Sequence, residues 1–200
     1  MPGIPGISHN TFGHRANPLW KGYGEATHFL PYTLDAVNTV DLTSLQQRRP
    51  STSQGQGELL VGTATCTGCT LALWQEPAGN WVFAHINATV ETADLTSPET
   101  IERNNAYSGR VVNALTQGDP EADPQDSPLR ARMHVNLSNL PEDANVSVNA
   151  GAPGWTGWVA MDGGGVPTMY VRYSNDQGEV VTKKVIPPEE IDGAPRFEDA

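Results

Sequence analysis

Apolar positions along this chain alternate with polar ones more often than they recur at a helical spacing. Glu58-Leu59-Leu60-Val61 opens the first clear strand, and Thr70-Leu71-Ala72-Leu73-Trp74 and Trp81-Val82-Phe83 read as two more. Between the latter two lies Glu76-Pro77-Ala78-Gly79-Asn80. Turn residues between two runs of apolar, β-branched and aromatic residues predict a β-hairpin. Further on, Arg132 to Leu137 and Asn145 to Val148 alternate, and Gly157 to Met161, Met169 to Tyr173 and Glu179 to Ile186 follow. Gly163-Gly164-Gly165 and Asn175-Asp176-Gln177-Gly178 divide them as turns. Side chains along a strand point to opposite faces in turn, so this region predicts a meander of half-buried strands.

The middle of the chain breaks that pattern. Thr96 or Ser97 can cap a helix, Pro98 fits its first turn, and Glu99 complements its positive end. Helical character runs through Asn105, and Val111, Val112 and Leu115 either extend it or open a second short helix that Gly118 ends. Phe29, Leu30, Leu34, Val37, Val40, Leu42 and Leu45 are scattered so that Ala26 to Leu45 suits one or two strands or a short helix. Residues 1–25 have no period and predict an irregular arm anchored by Trp20 and Tyr23, while 188–200 predict a frayed acidic tail. Gln46 to Gly57 and Gly118 to Pro128 are polar loops. Strands on both sides of a helical middle predict an α+β fold: a β-sandwich-like mixed sheet core flanked by one or two short helices and long loops, in a single domain spanning 1–200.

Composition narrows the partners. Twelve basic against 23 acidic residues give a net charge of −11, which offers no electrostatic footprint for nucleic acid or an anionic membrane surface. Twenty glycines and 16 prolines suit a β-rich chain with many turns. The opening MPGIPGISHN lacks the basic and apolar segments of a signal peptide, and no run approaches a membrane span. The expectation is a soluble monomer that either stays in the cytoplasm or leaves its cell through a dedicated apparatus.

Candidate chemistry concentrates between Gly62 and Thr89, where both cysteines, Cys66 and Cys69, precede His85. A thiol becomes a nucleophile as its thiolate, which needs a neighbouring base. If the hairpin loop is Glu76 to Ala78 and Gln75 pairs with Gly79, Cys69 falls directly opposite His85. A register two residues different leaves them diagonal on one face, and a slip of one residue separates them. Thr67-Gly68 is a turn whose backbone amides could hold an oxyanion beside Cys69, with Gly68 expected there for steric reasons. Asn87, two residues beyond His85 on the same face, is a candidate to orient the imidazole.

The run Thr63-Ala64-Thr65-Cys66-Thr67-Gly68-Cys69, followed by Trp81-Val82-Phe83-Ala84-His85-Ile86, resembles the Thr…Leu-Ser-Gly-Cys…His pattern of the bacterial glutamine deamidase toxins. That superfamily includes Burkholderia lethal factor and the catalytic domain of cytotoxic necrotizing factor. The likeness covers about 30 of the 200 residues, and Cys66-Thr67 stands where the family has Leu-Ser. It implies a β-sandwich flanked by helices and a Cys69 nucleophile with His85 as base. It further implies a main-chain carbonyl at Thr63 that orients His85, and a protein substrate carrying a target glutamine. An effector delivered into another cell is the role it suggests, with a chemotaxis-receptor-type deamidase as the neighbouring possibility.

Plainer readings stand beside these. Cys66 is expected to pack in the core at the family's apolar position. A Cys-x-x-Cys redox pair belongs at a helix start, whereas strand follows here. Zinc takes about four ligands and there is no second cysteine pair, so no metal and no cofactor are expected. His9 and His14 are expected to be solvated, His134 to be an ordinary sheet residue, and Trp155 and Trp158 to pack in the core or at a sheet edge. The alternative from another class is a non-catalytic acidic binding or immunity-type module with structural thiols.

Overall fold

In the computed structural model, residues 8–11, 27–31, 33, 36–48, 58–87, 97–122, 131–146, 154–188 and 194–200 are described. In chain order these hold strands β1 (Ser8–Thr11), β2 (Thr27–Leu30) and β3 (Ala36–Asp41), helix α1 (Leu42–Gln47), then β4 (Leu59–Thr63), β5 (Thr70–Gln75) and β6 (Trp81–Asn87). Helix α2 (Pro98–Gln117) follows, then β7 (Ala131–Val135), β8 (Thr156–Met161), β9 (Pro167–Ser174), β10 (Val180–Ile186) and β11 (Arg196–Asp199). The strands form two sheets, a five-stranded one ordered β1-β3-β6-β5-β7 and a six-stranded one ordered β11-β10-β9-β8-β4-β2. Both are mixed: β1 runs parallel to β3 and β2 parallel to β4, and the other pairs are antiparallel. The fold is thus α+β with a sandwich core, as the alternating pattern predicts.

The β5–β6 hairpin is buried on both faces, which is why its strands read as nearly continuous apolar runs. Leu71, Leu73 and Phe83 face the second sheet and pack with Leu59, Val61, Val159, Met169 and Val171. Ala72, Trp74, Val82, Ala84 and Ile86 face the other way, against Val111 and Val112 of α2. The layers are therefore helix, five-stranded sheet, six-stranded sheet, with an apolar core in each gap. Gly157 lets the sheets approach, since a Cβ there would lie 2.4 Å from the Leu71 Cδ1 atom and 3.1 Å from the Tyr170 carbonyl.

Helix α2 is one continuous helix of 20 residues rather than two short ones. Ser97 is its N-cap, accepting from the Thr100 amide, and Gly118 closes it in the left-handed conformation at φ 78°. Within Ala26 to Leu45 the chain forms two strands and a short helix together, with the Asp41 side chain capping α1 through the Ser44 amide at 2.9 Å. The acidic tail is not frayed throughout: β11 pairs with β10, Phe197 packs against the inter-sheet core, and Lys183 bonds Asp199 at 2.7 Å. A four-residue strand with one apolar anchor is too short to show a period. Of the expected Asn145 to Val148 strand, Asn145 and Val146 are in no strand, the nearest pairing being the bridge of Ala144 to Asn175 just before them, and the other two residues lie outside the described residues. So do His14, Trp20, Tyr23 and most of the Gln46 to Gly57 loop. Among the described residues, no helix is long and apolar enough to cross a membrane.

Candidate functional site

The hairpin turn sets the register that matters for Cys69. Gly79 takes φ 96° and its amide donates to the Glu76 carbonyl at 2.8 Å, so Pro77 and Ala78 are the central turn residues. Proline suits the first central position of such a turn and glycine the left-handed one that follows. Gln75 consequently pairs with Trp81 and Leu71 with His85. This register differs by two residues from the one with Gln75 against Gly79. Cys69 is therefore diagonal to His85 rather than opposite, and parity keeps both on the inter-sheet face.

Cys66 approaches from the other sheet. It forms an antiparallel bridge with Trp155, the Cys66 amide donating to the Trp155 carbonyl at 2.6 Å and the Trp155 amide returning a bond at 2.9 Å. The segment from Ala64 to Cys69 thus carries the chain from the six-stranded sheet into the five-stranded one. Its two thiols meet the imidazole in the gap: Cys66 Sγ lies 3.6 Å from His85 Nε2, and the ligand atoms of Cys66, Cys69 and His85 all lie within 4.8 Å of one another. Cys66 is fully buried, as a packing residue would be, but it is also a member of the site. Relative exposures are 0% for Cys66, 2% for Cys69 and 0% for His85.

The two thiols are driven apart electrostatically. Burial pushes the Cys66 thiol well above the usual range, and the neighbouring Cys69 adds to this. The Cys69 thiol is held well below it, chiefly by the hydrogen bond from Cys66; burial opposes this, while a hydrogen bond and charge from His85 and the Thr67 amide assist. The two thiols titrate as a pair in which Cys69 ionises more readily than Cys66.

Thr67 is placed with its amide on the Cys69 sulfur. Gly68 has no steric need to be glycine, since a Cβ there would meet nothing within 4 Å. The glycine that the site requires is Gly154, where a Cβ would lie 2.4 Å from the Thr65 methyl and 2.7 Å from the Cys66 carbonyl. The Thr63 carbonyl accepts from Thr156 Oγ1 at 3.2 Å, and the Thr63 hydroxyl bonds the Ala64 and Gly157 carbonyls at 3.0 and 3.1 Å. Asn87 donates to the Thr33 carbonyl at 3.2 Å. Sequence reading passed over Asn38, which is fully buried and directly opposite His85 on β3, and which donates to the Pro31 carbonyl at 2.7 Å. A polar residue in phase with Val40 in the apolar run Ala36-Val37-Asn38-Thr39-Val40 was its only signal. His134 pairs with Ala72 and so faces the helix side, away from the thiols. Trp155 is buried in the core, and Trp158 stacks on Tyr170 with centroids 5.4 Å apart.

Compared with known protein families, curated proteins and solved structures, the chain matches none of them.

Proposed function

We propose that this protein is a cysteine-dependent protein glutamine deamidase, with Cys69 as nucleophile and His85 as acid and base. The observation that carries this reading is geometric: Cys69 lies on the same face as His85, diagonal to it across the hairpin, and its sulfur is within 4.8 Å of the imidazole and of Cys66. Cys66 is nearer than expected to His85, but burial pushes its thiol up, which favours Cys69 as the nucleophile.

Cys69 passes its thiol proton to His85, and the thiolate attacks the carboxamide carbon of a glutamine side chain; the C–S bond forms and the carbonyl electron pair moves to oxygen. As the tetrahedral intermediate collapses, His85 protonates the departing nitrogen, the C–N bond breaks and ammonia leaves. His85 then takes a proton from water, whose oxygen attacks the thioester carbon; the C–S bond breaks, leaving glutamate and regenerating the thiolate. The Thr67-Gly68 turn supplies main-chain donors near the sulfur, while the two groups expected to orient the imidazole, the Thr63 carbonyl and the Asn87 side chain, bond Thr156 Oγ1 and the Thr33 carbonyl. The natural setting of this chemistry is an effector acting on a protein of another cell.

A direct test incubates the protein with a target-cell extract and maps Gln-to-Glu conversions by mass spectrometry. Wild type should produce sites that Cys69→Ser does not, and Cys66→Ser should slow their appearance. Identical conversion by Cys69→Ser would end the proposal. The near-complete burial of all three groups favours a second reading, a non-catalytic module with structural thiols. Slow and equal alkylation of both cysteines would support it.

A further inference from the structure

We propose that Cys66, Cys69 and His85 form a zinc-binding site. The two-residue spacing of the cysteines is that of a zinc-binding turn, and the fold adds the third ligand that sequence spacing did not supply. In a tetrahedral site with Zn–S about 2.3 Å and Zn–N about 2.05 Å, the sulfur-to-nitrogen edge is about 3.6 Å. Cys66 Sγ and His85 Nε2 are separated by 3.6 Å before any ion is present. The third donor, Cys69 Sγ, lies within 4.8 Å of both, so small side-chain rotations close the triangle.

Charge supports the same ion. Two thiolates and a neutral imidazole cancel the double charge of zinc, so the loaded cluster is neutral and can stay buried. Soft sulfur with imidazole in tetrahedral array selects zinc over magnesium or calcium, which take oxygen. An outer partner is already present, the Thr67 amide beside the Cys69 sulfur. Three protein ligands leave the fourth position to water. The cluster also joins the two sheets, since Cys66 is bridged to Trp155 of one and His85 belongs to the other. If Cys69 is the nucleophile, zinc inhibits the enzyme; that consequence alone rests on the deamidase reading.

The test uses the full chain, reduced and stripped of metal, and titrates it with zinc against a chromophoric chelator. One equivalent should bind per chain. Cys66→Ser, Cys69→Ser and His85→Gln should each weaken it by more than about 100-fold, given that even outer-shell partners are worth roughly 10- to 100-fold. Cobalt(II) added to wild type should give the near-ultraviolet thiolate charge-transfer band and strong visible bands of four-coordination, which carries the test if the variants fail to fold. Absence of that band, or equal zinc uptake by folded variants, overturns the proposal. Neither readout uses a substrate, so failure here leaves the deamidase reading intact, and absence of deamidation leaves the zinc site intact.

Discussion

At the scale of single residues, the site turns on the different fates of two thiols three residues apart. An ordinary thiol ionises near pH 8.5, about the value expected of either cysteine in the unfolded chain. Cys69 is held below that value by the hydrogen bond from Cys66 and by His85, and Cys66 is held above it by burial. In the metal-free, reduced protein, alkylation at Cys69 should reach its half-maximal rate at a pH clearly below the ordinary thiol value, and at Cys66 clearly above it. The midpoint of each pH profile, read by peptide mass spectrometry, is the measurement, because restricted reagent access lowers absolute rates while the midpoint follows ionisation. Cys66→Ala removes the largest influence lowering Cys69, so its Cys69 midpoint should rise. Two coincident profiles would show that the pair is not polarised.

At the scale of elements, the close approach of Gly154 to the Cys66 strand end holds the site together. A methyl group at 154 collides with the Cys66 carbonyl, which is backbone and cannot swing aside. Gly154→Ala should therefore cost about 1 to 3 kcal/mol, as overpacking does. Gly68→Ala meets open space and should fall within about 0.5 kcal/mol of wild type. Urea midpoints at constant slope compare the two, and a Gly68 variant as damaged as the Gly154 one would contradict the geometry. The same contrast shows what the residues alone could reveal. Gly68 drew attention because it adjoins Cys69, whereas Gly154 matters through an approach to a segment nearly ninety residues away in sequence. The β5–β6 hairpin was legible because its signals are local, and its parity survived an error of two residues because strand side chains repeat every two. Pro77 and Gly79 held the better register, proline at the first central turn position and glycine at the left-handed one. The parallel pairings of β1 with β3 and β2 with β4 join segments without a shared turn, so no local pattern could predict them. The third member of the thiol cluster was hidden for the same reason, since Cys66 reaches His85 only because the sheets stack.

At the scale of the whole molecule, the five-stranded sheet is the shared wall of two cores. Phe83 fills the inter-sheet core and Trp74 the core beneath α2, and they lie on opposite faces of the same hairpin. Each is nearly inaccessible, and truncating either to alanine should cost about 3 to 5 kcal/mol. Because β5 and β6 carry both cores, loss of either one should unfold the other with it. Unfolding of wild type, Phe83→Ala and Trp74→Ala should thus be a single transition, with far-ultraviolet dichroism and tryptophan fluorescence giving coincident midpoints. The site supplies an independent reporter of the layers. Phe83 is on the strand face of His85, two residues away, so Phe83→Ala should change the Cys69 alkylation rate under native conditions beyond the change caused by Trp74→Ala. If helix dichroism in Trp74→Ala instead vanished at lower urea than the fluorescence change, α2 would be a separable layer, and the two cores would not share one cooperative wall.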